Sequence, residues 1–111
     1  MDELEISYMS AGDLSRLVSK KEVSPVEIVD AHLSRIQATE PVLNSFITLL
    51  AEEARGSARQ AEREIQAGKY RGPLHGIPVG LKDLYNTRGV RTTSGSRIFD
   101  NFVPAEDCTV A

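Results

Sequence analysis

Lys82 is the residue whose surroundings could do chemistry. It lies near the end of Gly76-Ile77-Pro78-Val79-Gly80-Leu81-Lys82-Asp83, where Ile77, Val79 and Leu81 alternate with Pro78, Gly80 and Lys82. A period of two predicts a strand with one apolar face, and Lys82 on the opposite face at its end. Five of the 8 glycines (Gly72, Gly76, Gly80, Gly89 and Gly95) fall near this run. Glycine permits tight turns and close approach of backbone or ligand at an entropic cost, so their clustering around one charged residue suggests a site. A lysine at a strand end is most often simply solvated. The spacing is not that of a phosphate-binding P-loop, which needs four residues between its glycines and then Gly-Lys-Ser/Thr opening a helix. Here three residues separate Gly76 from Gly80, and Leu81 separates Gly80 from Lys82.

The elements that must position this run are mostly helical. Residues 1–9 read as a short lead-in. Ser10-Ala11-Gly12-Asp13 fits a capping box, predicting a helix to about Lys20 with Leu14, Leu17 and Val18 inward. Ser24-Pro25-Val26-Glu27 repeats the device with proline at the first helical position. The helix it opens carries a stripe of Val26, Val29, Leu33 and Ile36, with His32 beside it, and should end at Glu40-Pro41. Phe46–Leu50 is short, apolar and β-prone, hence a predicted strand. A third helix follows, lined by Ala51, Ala54, Ala58, Ala61 and Ile65, with Gly68 as its stop. Thr92-Thr93-Ser94-Gly95-Ser96 reads as a polar, flexible segment whose hydroxyls cap turns or bind substrate. Pro104-Ala105-Glu106-Asp107 looks like one more helix start, and a sequence stopping at Ala111 reads as cut rather than finished.

Composition excludes several classes. At 111 residues the chain allows at most one small domain, and 41% hydrophobic content argues against disorder. Aromatics make up 5% with no Trp, and the net charge is -3 without a basic run, so no nucleic-acid footprint is present. The single cysteine, Cys108, excludes an internal disulfide and reads as a small apolar residue. His32 and His75 are too far apart in sequence to suggest a metal site. No apolar run is long enough for a membrane span, and the acidic Met1-Asp2-Glu3-Leu4-Glu5 is unlike a signal peptide, so the sequence reads as cytoplasmic.

The run Gly72-Pro73-Leu74-His75-Gly76-Ile77-Pro78-Val79-Gly80-Leu81-Lys82-Asp83, followed by Arg91-Thr92-Thr93-Ser94-Gly95-Ser96, resembles the start of the amidase signature enzymes. Ser24-Pro25-Val26-Glu27 and the helices upstream also look like that family's N-terminal segment. The resemblance implies an α/β fold, a mixed sheet covered by helices, of which this chain would be the N-terminal part. Residues 1–70 would be a helical segment, and residues 71–111 the start of the core with the lysine strand. It further implies hydrolysis of a small-molecule carboxylic amide, or release of ammonia from glutamine as the A subunit of a tRNA-dependent amidotransferase. The family uses a Ser–cis-Ser–Lys triad, and Lys82 matches its lysine. Both serines come from later segments, so the chain alone should be inactive; Ser94 and Ser96 do not match them.

An unperturbed lysine, with a pKa of about 10.4, is a poor base near neutrality, so burial or nearby positive charge must disfavour its ammonium form. Packed helices and the hydroxyl-rich segment are the expected shield. Asp83 would hold Lys82 charged if the two touched, so it should point away and anchor backbone. Gly80, Thr93, Ser94 and Gly95 join Asp83 as expected supporting residues. The resemblance names no substrate-binding residue and no metal or organic cofactor. Its partners are the remainder of the amidase domain, with tRNA and the other amidotransferase subunits in the second case. Uncovered apolar faces would favour a homo-oligomer. Two other readings stand beside it: a free-standing module that oligomerises through the alanine-lined helix or binds a partner, and a Schiff-base lysine enzyme.

Overall fold

The computed structural model describes residues 1–111 as four α-helices, one short 3-10 helix and a set of turns. Two compact units result: residues 1–45 with 50–78, and residues 46–49 with 79–111.

The first unit holds all four α-helices. α1 (Glu3–Tyr8) lies where a lead-in was expected, and its start is a complete capping box: the Asp2 carboxylate accepts from Glu5 N–H, and the Glu5 carboxylate accepts from Asp2 N–H. An acidic N-terminus is thus a helix start, its charges set at the positive end of the dipole. α2 (Ala11–Ser19) has half the expected box. Ser10 Oγ accepts from Asp13 N–H, but the Asp13 carboxylate takes the Ser10 hydroxyl instead of returning to its backbone. α3 (Pro25–Leu43) opens with the full Ser24/Glu27 box and proline in its first turn. α4 (Ala51–Gln66) closes at Ala67, followed by Gly68 with φ +81°.

α3 does not stop at Glu40-Pro41. It runs on to Leu43 and ends at Asn44 in the left-handed region, φ +48°. Proline removes one intrahelical donor, and the chain compensates at Glu40. The Glu40 carbonyl accepts from Asn44 N–H at 2.8 Å, and its carboxylate accepts from Ser45 N–H at 2.6 Å and Ser45 Oγ at 3.1 Å. With those bonds the last turn survives the proline that should have ended it.

α3 is also buried on two faces, which a single stripe did not suggest. Val29 and Leu33 pack with Ala58 of α4, and partly buried Val26, Ala51 and Ala54 lie against them. Ile28 and Ala31 join Ile6, Leu14, Val18, Val23 and Ile65 in a second cluster, against which Leu17 and Ile77 pack. Of the expected Val26/Val29/Leu33/Ile36 stripe, Val26, Val29 and Leu33 therefore make up one side only; Ile28, at 0% exposure, belongs to the other.

No strand forms. The only β-type pairing is the single bridge of Thr87 with Val90. Neither Phe46–Leu50 nor Gly76–Asp83 finds a ladder partner, so the α/β sheet expected from the sequence is not present in these residues. Alternation of side chains makes a segment able to join a sheet, but the ladder bonds that define a strand need a second one. The helix expected after Pro104 is absent too. The Asp107 carboxylate accepts from Arg88 N–H at 2.7 Å instead of capping, and the residues around it form bends and turns. So short a segment cannot repay helix nucleation by itself.

One glycine of the lysine run is fixed by packing. Gly76 has φ +84°, and a Cβ built there would lie 2.6 Å from Pro25 Cγ and 2.9 Å from Pro25 Cβ. The turn after α4 thus sits directly on the first residue of α3. Gly80 differs: it has no positive φ, and a Cβ there meets nothing within 4 Å. Gly76→Ala should cost about 3 kcal/mol, from left-handed strain plus overpacking. Gly80→Ala should change stability by less than about 0.5 kcal/mol. Urea denaturation of this chain checks both, and equal losses at the two positions would contradict the packing argument.

Candidate functional site

The lysine run leaves the first unit after Pro78 and continues to Lys82 without regular secondary structure or a ladder partner. Lys82 is exposed and belongs to no ion pair, and its carbonyl accepts from Tyr85 N–H at 3.0 Å. The shield expected around it is not built by these residues. Gly80 lies in open surroundings, and Val79, Leu81, Leu84 and Tyr85 on either side of Lys82 are exposed as well.

Asp83, next in the chain, is occupied elsewhere. Its carboxylate accepts from Thr93 N–H at 2.8 Å, from the Thr93 hydroxyl, and from Gly95 N–H at 3.3 Å. Its carbonyl accepts from Ser94 N–H at 2.7 Å. Three successive amides therefore end on one residue. They can do so because Ser94 and Gly95 both take positive φ, +52° and +69°. Ser96 N–H closes the turn on the Thr93 carbonyl at 2.9 Å. Positive φ at both central positions is the geometry of a type I′ turn, which glycine at the second position eases. The segment expected to be flexible is a tight turn with its amides spoken for. The Thr93 hydroxyl, then its backbone N–H and that of Gly95, hold the Asp83 carboxyl below its ordinary value, with Arg91 adding a smaller push against desolvation.

The structure thus brings Asp83, Thr93, Ser94 and Gly95 together and leaves Lys82 and Gly80 outside the cluster. Thr92 and Thr93 are buried, whereas Ser94 is exposed at the turn's tip. Ser96 caps the 3-10 helix Arg97–Phe99 by accepting from Ile98 N–H at 3.2 Å. Arg91 donates to the Asp100 carboxylate at 2.5 Å and to its carbonyl. Cys108 is a half-buried free thiol.

Sequence reasoning missed a second polar cluster, in the first unit. His75 is buried, its Nδ1 accepting from Arg71 N–H at 3.0 Å. That bond assigns the proton to Nε2, which lies 2.8 Å from the Glu64 carboxylate. Arg71 reaches the same Glu64 oxygen at 3.0 Å, and the Tyr70 ring stacks on the imidazole. Donation from Gln60 first, then from His75, keeps the Glu64 carboxyl below its ordinary value although partial burial opposes it. Every polar end here is matched, which reads as a clasp between the end of α4 and the turn on Pro25. No periodicity links Glu64 to a histidine across a loop, so the pairing left no signal in the sequence.

No helix is long and apolar enough to cross a membrane. The family model described as Amidase matches residues 27–111, and the chain belongs to the amidase family. Among curated relatives it is similar to the glutamyl-tRNA(Gln) amidotransferase A subunit of Geobacter sp. (strain M21), at 46% identity over 106 residues. The A subunits of the same description from Heliobacterium modesticaldum and Carboxydothermus hydrogenoformans match at 46% and 38% over 107 residues. Each alignment covers 96% of this chain and 22% of the relative, so the chain spans 22% of the length of the relatives it matches.

The Asp83 cluster makes an acid-side prediction. A carboxyl held below its unfolded value stabilises the fold above that value, about 3.9, and loses the contribution as pH falls through the lower folded one. Hydrogen exchange should show Thr93 and Gly95 amides protected down to about pH 4 and released below it. In Asp83→Ala both should exchange faster at neutral pH, while Ser94, bonded to the backbone carbonyl, loses less. Equal loss at all three amides would mean that the carboxylate is not what holds the turn.

Proposed function

We propose that this chain is part of the ammonia-releasing component of a glutamyl-tRNA(Gln) amidotransferase, with Lys82 as the base of a Ser–cis-Ser–Lys triad. The observation that carries this reading is 46% identity across 96% of the chain to a protein of that description. Lys82 with Asp83 after it, and the Thr92–Ser96 turn bound to Asp83, are the parts of the site that this chain supplies.

In this reading neutral Lys82 takes the hydroxyl proton of the nucleophilic serine through the second serine as the serine oxygen bonds to the side-chain amide carbon of glutamine. The carbon–nitrogen bond breaks, the proton returns to the leaving nitrogen, and ammonia departs. Water then cleaves the acyl ester. In this reading both serines come from segments later than the lysine run, and neither is Ser94 or Ser96. A base of this kind needs its ammonium form disfavoured by burial. Lys82 is exposed here, and the apolar side chains around it supply a rim for a cover: Val79 is 81% exposed and Leu84 47%. The additional length of the relatives is the source of that cover. It also supplies the strands that would pair with the open backbone before Lys82 and complete a mixed sheet. The partners follow: the rest of the amidase domain, the other amidotransferase subunits, tRNA and glutamine.

The test is Lys82→Ala in the full-length protein with its partner subunits. Glutamine hydrolysis should fall about 10²–10⁴-fold with circular dichroism unchanged, and residues 1–111 alone should release no ammonia. Unchanged turnover in the variant would overturn the role of Lys82. Hydrolysis of free amides without ammonia reaching glutamyl-tRNA would replace the amidotransferase reading by a plain amidase.

A further inference from the structure

The proposed mechanism places a base directly before a carboxylate in the chain. A lysine beside a free aspartate is held in its charged form, since an opposite charge within about 4–6 Å favours ionisation. Asp83 is therefore the group best placed to disable Lys82. What the structure shows is an Asp83 carboxylate with both oxygens engaged, Oδ1 by Thr93 N–H and Oδ2 by the Thr93 hydroxyl and Gly95 N–H, which fills three of about four acceptor sites. Two of those three donors come from Thr93, which is 5% exposed. Of the charged groups around the cluster, Arg91 acts on Asp83 electrostatically, but its guanidinium is paired with Asp100. The hydrogen bonds from the turn, rather than a competing cation, hold the carboxylate in place.

We propose that Thr93 is a positioning residue for the amide-cleaving reaction: by committing the Asp83 carboxylate to the Thr93–Gly95 turn, it keeps Asp83 from pairing with Lys82. The hydroxyl is the part that only a side chain can supply. Without it the carboxylate keeps two backbone donors, each oxygen is left with one, and it is freer to turn toward the nearest cation along the chain, Lys82. Pairing would make Lys82 harder to deprotonate, so the base would be competent only at higher pH. The inference rests on the reading of Lys82 as the base.

The experiment uses the full-length protein with its partner subunits and follows kcat for glutamine hydrolysis against pH. In Thr93→Val, similar in size but without the hydroxyl, the acid limb should move up by about one pH unit, with KM little changed. At a pH on that limb, turnover falls about tenfold, since one unit is a factor of ten in the deprotonated fraction. Thr93→Ser should keep the limb at its wild-type position. If the valine variant does not fold, Thr93→Ala tests the same loss. Adding Asp83→Asn to Thr93→Val should return the limb toward its original position, because no carboxylate is left to pair with Lys82. A hydroxyl with a purely structural role would lower turnover at every pH and leave the limb where it was; that result overturns the proposal. The Lys82 reading fails separately, by full turnover in Lys82→Ala.

Discussion

The second unit depends on one residue that accepts from three neighbours in a row. Apart from a 3-10 turn and one isolated bridge it has no regular structure, so its backbone polar groups must be satisfied piecemeal. Asp83 does this for Thr93, Ser94 and Gly95 with two carboxylate oxygens and a carbonyl. Smaller devices of the same kind surround it: Asp107 takes Arg88 N–H, Asp100 takes Arg91, and Phe102 O takes Thr92 N–H at 3.0 Å. The first unit is held differently. There two apolar clusters on opposite faces of α3 supply the cohesion, and polar groups finish the helix ends.

What could be read from the sequence follows that division. Helices announced by a side chain bonding to its own backbone were legible, because such bonds span three residues and leave a local pattern. Ser24 and Glu27 are the clearest case; α4, which has no such cap, was legible instead from the spacing of its alanine row. The pattern failed where local and longer-range terms competed. Pro41 forbids one bond, but Glu40 and Ser45 restore the end of the helix. Asp2 and Glu5 form a box at a terminus that composition alone made look unstructured. Ile28 was overlooked because a helix buried on two sides has no single stripe.

The lysine run shows the opposite limit. Its alternation was real, and Ile77 does pack into the core, yet alternation cannot supply a partner strand. Of the two glycines that frame the run, Gly76 is explained within these residues and Gly80 is not. The candidate site divides similarly. Asp83 is held by the turn that follows it, whereas Lys82 lies exposed beside exposed Leu81 and Leu84. The family was legible because the motif is written in consecutive residues; the sheet expected with it did not form here, because a ladder needs a second segment that no local pattern supplies.

The contact of Gly76 with Pro25 has a genetic consequence. Pro25 gives α3 its first turn and at the same time forms the surface on which the turn before the lysine run rests. A side chain at position 76 would meet left-handed strain in any case, and its clash could be relieved only by a smaller residue at position 25, which gives up the preset φ that starts the helix. The two positions, far apart in the chain, are thus coupled through that clash, and the effects of changing both should depart from the sum of the single changes. A helix start and a tight turn that look independent in the sequence are inherited as one unit.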